Sequence, residues 1–316
     1  MCTTAAPPIR VEPLRPRAVD TRRDPIRPPA PAGRSVNVHL SEPQPMGMFF
    51  TLATRVARSP LDVPLRWLAG RLQRYTDIAD NLNNCDFASN GERMLIERGA
   101  PHWRVALDVG ANLGDWAREV VGVNPACVVH CFEASPSTFE VLRERMEGVP
   151  NVTLHAAGAG EVDGTLSFHD HGKGSTLSSF VTRDEVRARY GERIVEVPVR
   201  RLDSVLADLG VERVDFIKVD TEGYELPVLA GLSGALAARA VDCVQFEYGG
   251  TWLDARRRLQ DACKLFEANG YAVHRLLADG VARFSYDTTR DEHYKYANFV
   301  ATHDPGLLLR WGVPCA

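Results

Sequence analysis

At 316 residues the chain is long enough for one large domain or two small ones, and for a sizeable core. Its 45% hydrophobic and 25% charged residues are those of an ordinary globular protein, and a formal net charge of −4 excludes a nucleic-acid binder that works through a broad basic surface. The seven cysteines are scattered without a CxxC pair, and Cys127 and Cys131 lack the His/Cys partners of a zinc site, so free thiols in a cytoplasmic protein are expected.

Residues 1–45 hold 10 of the 20 prolines and seven arginines against four acids, a net of +3 that leaves −7 for the rest. So little apolar surface cannot offset the entropy of ordering, and a disordered Pro/Arg-rich tail is expected there. Met46 and Met48 offer themselves as alternative starts. From 46 to 88 a helical cap on the following domain is expected. Phe49, Leu52, Ala53 and Val56 recur at helical spacing, and Leu65, Leu68, Ala69 and Leu72 repeat the pattern after Pro60 and Pro64. The competing reading of this Arg-decorated segment, strongest over 46–74, is peripheral contact with an anionic membrane. No apolar run approaches the ~20 residues that span a bilayer.

The main domain is expected over 89–304, with a C-terminal tail at 305–316. The run 105–109 reads as a first strand, which passes through Gly110 and Gly114 into a helix with Trp116, Ala117, Val120 and Val121 on one face. A second strand, 128–132, ends in Glu133; Ser135 then caps a helix that starts at Pro136. A third strand and its exit turn occupy 151–158. Beyond a hairpin arm at 164–168, residues 172–178 read as a loop. The proline of the strand 196–199 suggests a sheet edge or a strand end. Strands at 214–219 and 241–246 end in Asp220 and Glu247, with helices before and after. Strands at 271–277 and 296–302 close the chain as an antiparallel pair. The order βαβαβ, hairpin, αβαβαββ specifies one doubly wound α/β domain of Rossmann-like type.

Ligands of such sheets sit at the carboxyl ends of the strands, and a carboxylate at the second strand tip is placed to accept both hydroxyls of a ribose. The first turn is GxNxG, so Asn112 stands where a dinucleotide fold has the glycine that admits a pyrophosphate, and no GK[ST] follows. Asp108 before the turn suits a cationic amino group. S-adenosylmethionine is such a ligand, with its amino acid at Asp108, its ribose at Glu133 and its adenine near Ala157 and Gly158; the alternative is an ordinary tight turn without a ligand.

The stretches Asp108–Gly114, Phe132–Pro136 and Phe216–Glu225 resemble the FkbM family of methyltransferases, and Lys218, Asp220, Glu222, Gly223 and Glu225 match its K-x-D-x-E-G-x-E motif. Glu247 and the Asn90-Gly91-Glu92 lead-in also fit, and the likeness runs from about 89 to 302. The resemblance implies a class I methyltransferase sheet. It also implies transfer of a methyl group from S-adenosylmethionine to a hydroxyl of a sugar, glycoconjugate or secondary metabolite. Gly110, Asn112, Gly114, Glu133, Asp108, Ala157 and Glu92 are then the expected cofactor residues.

For catalysis, strand alternation points Lys218 and Asp220 the same way, with Glu222 in the turn beyond. Asp220 is the first candidate to contact the acceptor hydroxyl and Glu222 the second, while Lys218 holds the carboxylates ionised or lowers the acceptor pKa. His169, His171, Ser175 and Glu247 are weaker candidates for acceptor contact. Tyr286, Tyr294 and Tyr296 offer stacking surfaces to a sugar ring. Asp220, Glu222 and Glu247 form an all-oxygen set that Mg2+ would accept, but without a histidine or a second cluster a metal is not favoured. Two other functions compete: a non-catalytic binding protein on the same fold, and an NAD-dependent oxidoreductase, which would require the absent GxGxxG.

Overall fold

The computed structural model describes residues 53–315. The proposed tail at 1–45 lies outside them, as does the start of the helical segment expected from 46. Residues 53–61 fall in one compact unit and everything from Asp62 in another. In the first, residues 53–56 make a helical turn, closed by a hydrogen bond from Ser59 Oγ to the Val56 carbonyl.

The second unit is built on an eight-stranded sheet. Its strands are β1 (Val105–Val109), β2 (Val128–Phe132), β3 (Val152–His155), β7 (Phe216–Val219), β8 (Cys243–Tyr248), β9 (Ala272–Leu276), β10 (Val281–Arg283) and β11 (Ala297–Thr302), and a smaller sheet contains β4 (Gly158–Gly160), β5 (Gly164–Asp170) and β6 (Arg193–Arg201). The large sheet runs β10-β9-β11-β8-β7-β1-β2-β3. Strands β3, β2, β1, β7 and β8 are parallel, and β11 lies antiparallel between β8 and β9, as the C-terminal pair was expected to close.

The short β-branched runs of the central strands are buried on both faces, as parallel strands must be when helices cover each side. Leu107, Val109, Ile217, Val219, Val244 and Phe246 meet the helices Leu202–Leu209, Glu225–Ala230 and Leu259–Ala268 in one layer. Ala106, Val129, Cys131, Phe216 and Cys243 meet Glu92–Gly99, Asp115–Val123 and Pro136–Arg145 in the other. There Trp103 stacks on Phe216 at 4.3 Å between ring centres.

Three expectations are revised. Residues 305–315 are no tail: Leu307, Leu308, Trp311 and Val313 are buried in the second layer, and the Val281 N–H donates to the Pro314 carbonyl. The stretch after β3 contributes a strand of its own, β4, which pairs in parallel with β6. That makes β6 the centre of the small sheet and not an edge. Pro198 is tolerated because it lies opposite Thr165, one residue before the β4 pairing starts at Val199. The helix α1 (Asp62–Ala79) is the third case, since none of its 18 residues is buried, so it is not a cap packed along its length. It is held at its C-terminal end, where Lys295 Nζ donates to Asp77 at 2.7 Å and the Asn83 N–H to the Tyr296 carbonyl at 2.8 Å.

Candidate active site

The strand tips of β1, β2 and β7 converge on one cleft. Gly110 leaves β1 at φ +88°, and a Cβ there would stand 1.7 Å from the Asp220 carbonyl oxygen, so the first turn and the turn after β7 touch backbone to backbone. The N–H groups of Gly110 and Ala111 both donate to the Phe132 carbonyl at the end of β2. Asn112 takes φ +46°, a conformation asparagine tolerates better than most side chains. Its N–H donates to Glu133 Oε2 at 2.8 Å, and the Ser135 N–H donates to Oε1 at 2.8 Å. Each oxygen of Glu133 is thus fixed by one backbone donor and keeps further acceptor capacity for a ligand. The cleft, about 630 Å³ with its mouth, is lined by Gly110, Asn112, Glu133, Ala134, Gly158, Ala159, Phe168, Ser175, Thr176, Ser178, Phe180, Asp220, Thr221 and Glu222 among others.

A buried polar row crosses the sheet beneath it. Asp108 is in register with Lys218, and Lys218 with Gln245. Gln245 Nε2 donates to Glu92 Oε1 at 2.6 Å, and Glu92 also accepts from Asn90. Lys218 Nζ is 2.9 Å from Asp220 Oδ2 and 3.9 Å from Asp108 Oδ1. Burial alone would lower the Lys218 ammonium, but Asp220, Asp108 and Glu92 outweigh it and hold it charged well above its usual range. Asp108 gains less. Burial pushes it up to about 6, and Lys218, beyond hydrogen-bond reach, offsets only part of that.

The turn after β7 is clamped by Glu225, at the start of its helix. The Glu225 carboxylate accepts from the N–H groups of Thr221 (2.8 Å) and Gly223 (3.1 Å) and from the Thr221 hydroxyl (3.2 Å). Glu222 is thereby held at φ +54°, a sparsely populated conformation that persists where surrounding contacts enforce it. Burial, followed by the neighbouring Asp220, pushes the Glu222 carboxyl up to about 8, with Arg183, 3.5 Å away, pulling the other way. Glu247 is driven well above the carboxylate range by burial and then by Asp220 and Glu222. Glu225→Ala, which leaves the buried Gly223 N–H and the part-buried Thr221 N–H without their acceptor, is expected to cost about 2–3 kcal/mol. The melting temperature should fall by roughly 5–10 °C, read by thermal denaturation. An unchanged transition would mean the clamp contributes nothing.

Residues 108–273, just over half of the chain, match the methyltransferase FkbM domain. The chain belongs to the FkbM methyltransferase family. It is 29% identical over 169 residues to the 2-O-methyltransferase NoeI of Sinorhizobium fredii, covering 50% of this chain and 70% of NoeI. To the hexuronic acid methyltransferase AglP of Haloferax volcanii it is 26% identical over 177 residues (54% and 66%). To the 31-O-demethyl-FK506 methyltransferase FkbM of Streptomyces tacrolimicus it is 29% identical over 160 residues (42% and 60%). Among solved structures, cofactor-bound Rv0187 from MTB aligns at 15% identity with a TM-score of 0.40, over 83% of this chain and 98% of that one.

In this FkbM-family methyltransferase the cleft gathers Gly110, Asn112, Glu133, Ser175, Asp220 and Glu222, but not every residue expected there. Asp108 is fully buried on the strand face opposite Leu107 and Val109; Lys218 Nζ lies 3.9 Å from its Oδ1, and among the described residues neither of its carboxylate oxygens has a hydrogen-bond partner. Lys218 and Glu92 belong to the same buried row. Gly114 is a packing glycine: a Cβ there would stand 2.1 Å from Met146 Cε. Ala157 lines a separate hollow with His155 and Pro198, while its neighbours Gly158 and Ala159 line the cleft.

The histidines are engaged elsewhere. His169 Nδ1 is 2.7 Å from Glu192 Oε2 and its Nε2 is 3.0 Å from Thr182 Oγ1, and His171 Nδ1 is 2.6 Å from the Gly191 carbonyl. Tyr286 bonds Glu292 and Tyr294 stacks on Tyr248, whereas Tyr296 shares hydrogen bonds with Asn90 and Asn298 close to Glu247 and Asp220. Sequence reading gave no site role to Thr176, Phe168 or Phe180, and it named Glu225 only as a motif match and not as a clamp. The clamp was visible as a carboxylate two residues after a turn glycine. Among the described residues no group of three or more His, Cys, Asp or Glu side chains is arranged to hold a metal ion, and no helix is long and apolar enough to cross a membrane.

Proposed function

We propose that this protein transfers the methyl group of S-adenosylmethionine to a hydroxyl oxygen of a sugar, glycoconjugate or related metabolite. The observation that carries the reading is Glu133, whose two oxygens are aimed by the backbone of Asn112 and Ser135 at the mouth of the glycine turn. A carboxylate so held accepts the paired hydroxyls of a ribose. The apolar wall of Ala134, Gly158, Ala159 and Phe180 suits an adenine ring, and a Cβ on Gly158 would meet Phe180 at 2.5 Å, so that wall is close-fitting. The names of the relatives, which include a 2-O-methyltransferase and a hexuronic acid methyltransferase, support a hydroxyl of a sugar as acceptor.

S-adenosylmethionine supplies a methyl carbon on a positively charged sulfur, which leaves as a neutral thioether when the acceptor oxygen takes the methyl group. The chain's own work is to bring donor and acceptor together and to receive one proton. Positioning alone is worth up to roughly 7–11 kcal/mol in well-oriented cases. Glu222 fits the proton acceptor better than Asp220. It lines the cleft and sits at about 8, near a working pH, whereas Asp220 is committed to Lys218 at 2.9 Å. Asp220 and Lys218 then hold the turn and balance its charge. Titration calorimetry tests the donor: S-adenosylmethionine should bind the folded protein and NAD should not. Binding of NAD, or of neither, sinks the reading.

A further inference from the structure

We propose that helix α1 is an in-plane anchor that lays this protein on an anionic lipid surface. Leu65, Trp67, Leu68, Leu72, Tyr75 and Ile78 are 47–78% exposed. At 3.6 residues per turn they fall on one arc about 160° wide, with Asp62, Arg66, Gln73 and Asp77 opposite. An apolar arc of this extent, with aromatic side chains in it, has the composition of a helix that lies at the boundary of headgroups and acyl chains.

The charges choose between occupants. Asp62 is paired with Arg66, and Asp77 with Lys295, so both acids of the helix are compensated. Arg71 and Arg74 have no ion pair among the described residues, and Arg71 lies inside the apolar arc with its guanidinium 4.7 Å above the Trp67 ring. Against a second copy of the helix, or an apolar groove of another protein, Arg71 would be buried without a counter-charge, which is costly. At a lipid boundary the same side chain extends to the phosphates while Trp67 stays in the apolar layer, and both free arginines gain from anionic headgroups. The helix is also held in a fixed direction. Its end is tied by Asp77 to Lys295, by Asp80 to Arg275 at 3.5 Å, and by Asn81 Nδ2 to the carbonyls of Asn90 and Leu276.

The five tryptophans supply the readout. Trp103, Trp116, Trp252 and Trp311 are at most 7% exposed, so Trp67 is the one indole a bilayer can reach. The full chain is mixed with vesicles of phosphatidylcholine containing brominated acyl chains, with and without 30% phosphatidylglycerol. The expected result is co-sedimentation with the anionic vesicles and quenching of the exposed-tryptophan emission. Leu68→Glu with Leu72→Glu, and separately Arg71→Glu with Arg74→Glu, should each lower anionic-vesicle binding at least tenfold with the melting curve unchanged. Equal binding by parent and variants would overturn the proposal, since the contact would then lie outside α1. So would absence of binding, or a dimer in sedimentation equilibrium that the glutamates abolish while vesicles are ignored.

Discussion

Glu133→Ala is expected to weaken S-adenosylmethionine binding by roughly 10²–10⁴-fold, because two charge-assisted hydrogen bonds at about 1.5–3 kcal/mol each are lost. The same substitution leaves the N–H groups of Asn112 and Ser135 without their acceptor, so the glycine turn loses its brace along with the ligand contact. Glu133→Gln separates charge from shape. Burial pushes the Glu133 carboxyl up to about 7, with backbone donors opposing it. Ribose hydroxyls donate to the ionised form, so affinity should rise as pH increases from 6 to 7 and flatten above. Glu222, at about 8, adds a second and separate rise, since its ionisation favours a cationic donor. The glutamine variant should lose the step near 7 and keep the one near 8. Calorimetric titration across pH 6–9 measures both, and a parent protein with flat affinity would remove Glu133 from the ribose site.

Glu222→Gln should lower turnover by roughly 10²–10⁴-fold while the donor dissociation constant stays within a few-fold. The parent rate should climb with pH through about 8, as the carboxylate form becomes available, and the variant's residual rate should not. Asp220→Asn frees Lys218 from its closest partner and should reduce turnover too, but a rise should survive, displaced to lower pH because Asp220 no longer pushes Glu222 up. If instead Asp220→Asn erases the rise and Glu222→Gln retains it, the roles are the reverse of those proposed here.

Much of this architecture was legible because short β-branched runs ending in an acid repeat along the chain, and helices with one-sided apolar spacing separate them. Glu133, Asp220 and Glu222 could be placed at strand tips on that pattern alone. What escaped was register. Only when β1 is set beside β7 does Asp108 fall opposite Lys218 on a buried face, with both carboxylate oxygens lacking a hydrogen-bond partner among the described residues. Ala157 and Gly158 differ by one position, and in extended chain one position decides which side is faced. The segment 305–315 was missed because its four-residue helix is too short to show a period, although Leu307, Leu308 and Trp311 share one face. The apolar arc of α1 was readable; whether anything packed on it depended on the rest of the chain.

The contact between the Gly110 turn and the Asp220 carbonyl reaches further than packing. With no room for a single carbon between them, the segment proposed to hold the donor and the segment that carries Glu222 cannot move independently. Donor and acceptor affinities are then linked, and linkage is reciprocal: whatever factor the first to arrive lends the second, it receives in return. On the proposed roles, close packing at one glycine couples the two affinities equally in either order of arrival.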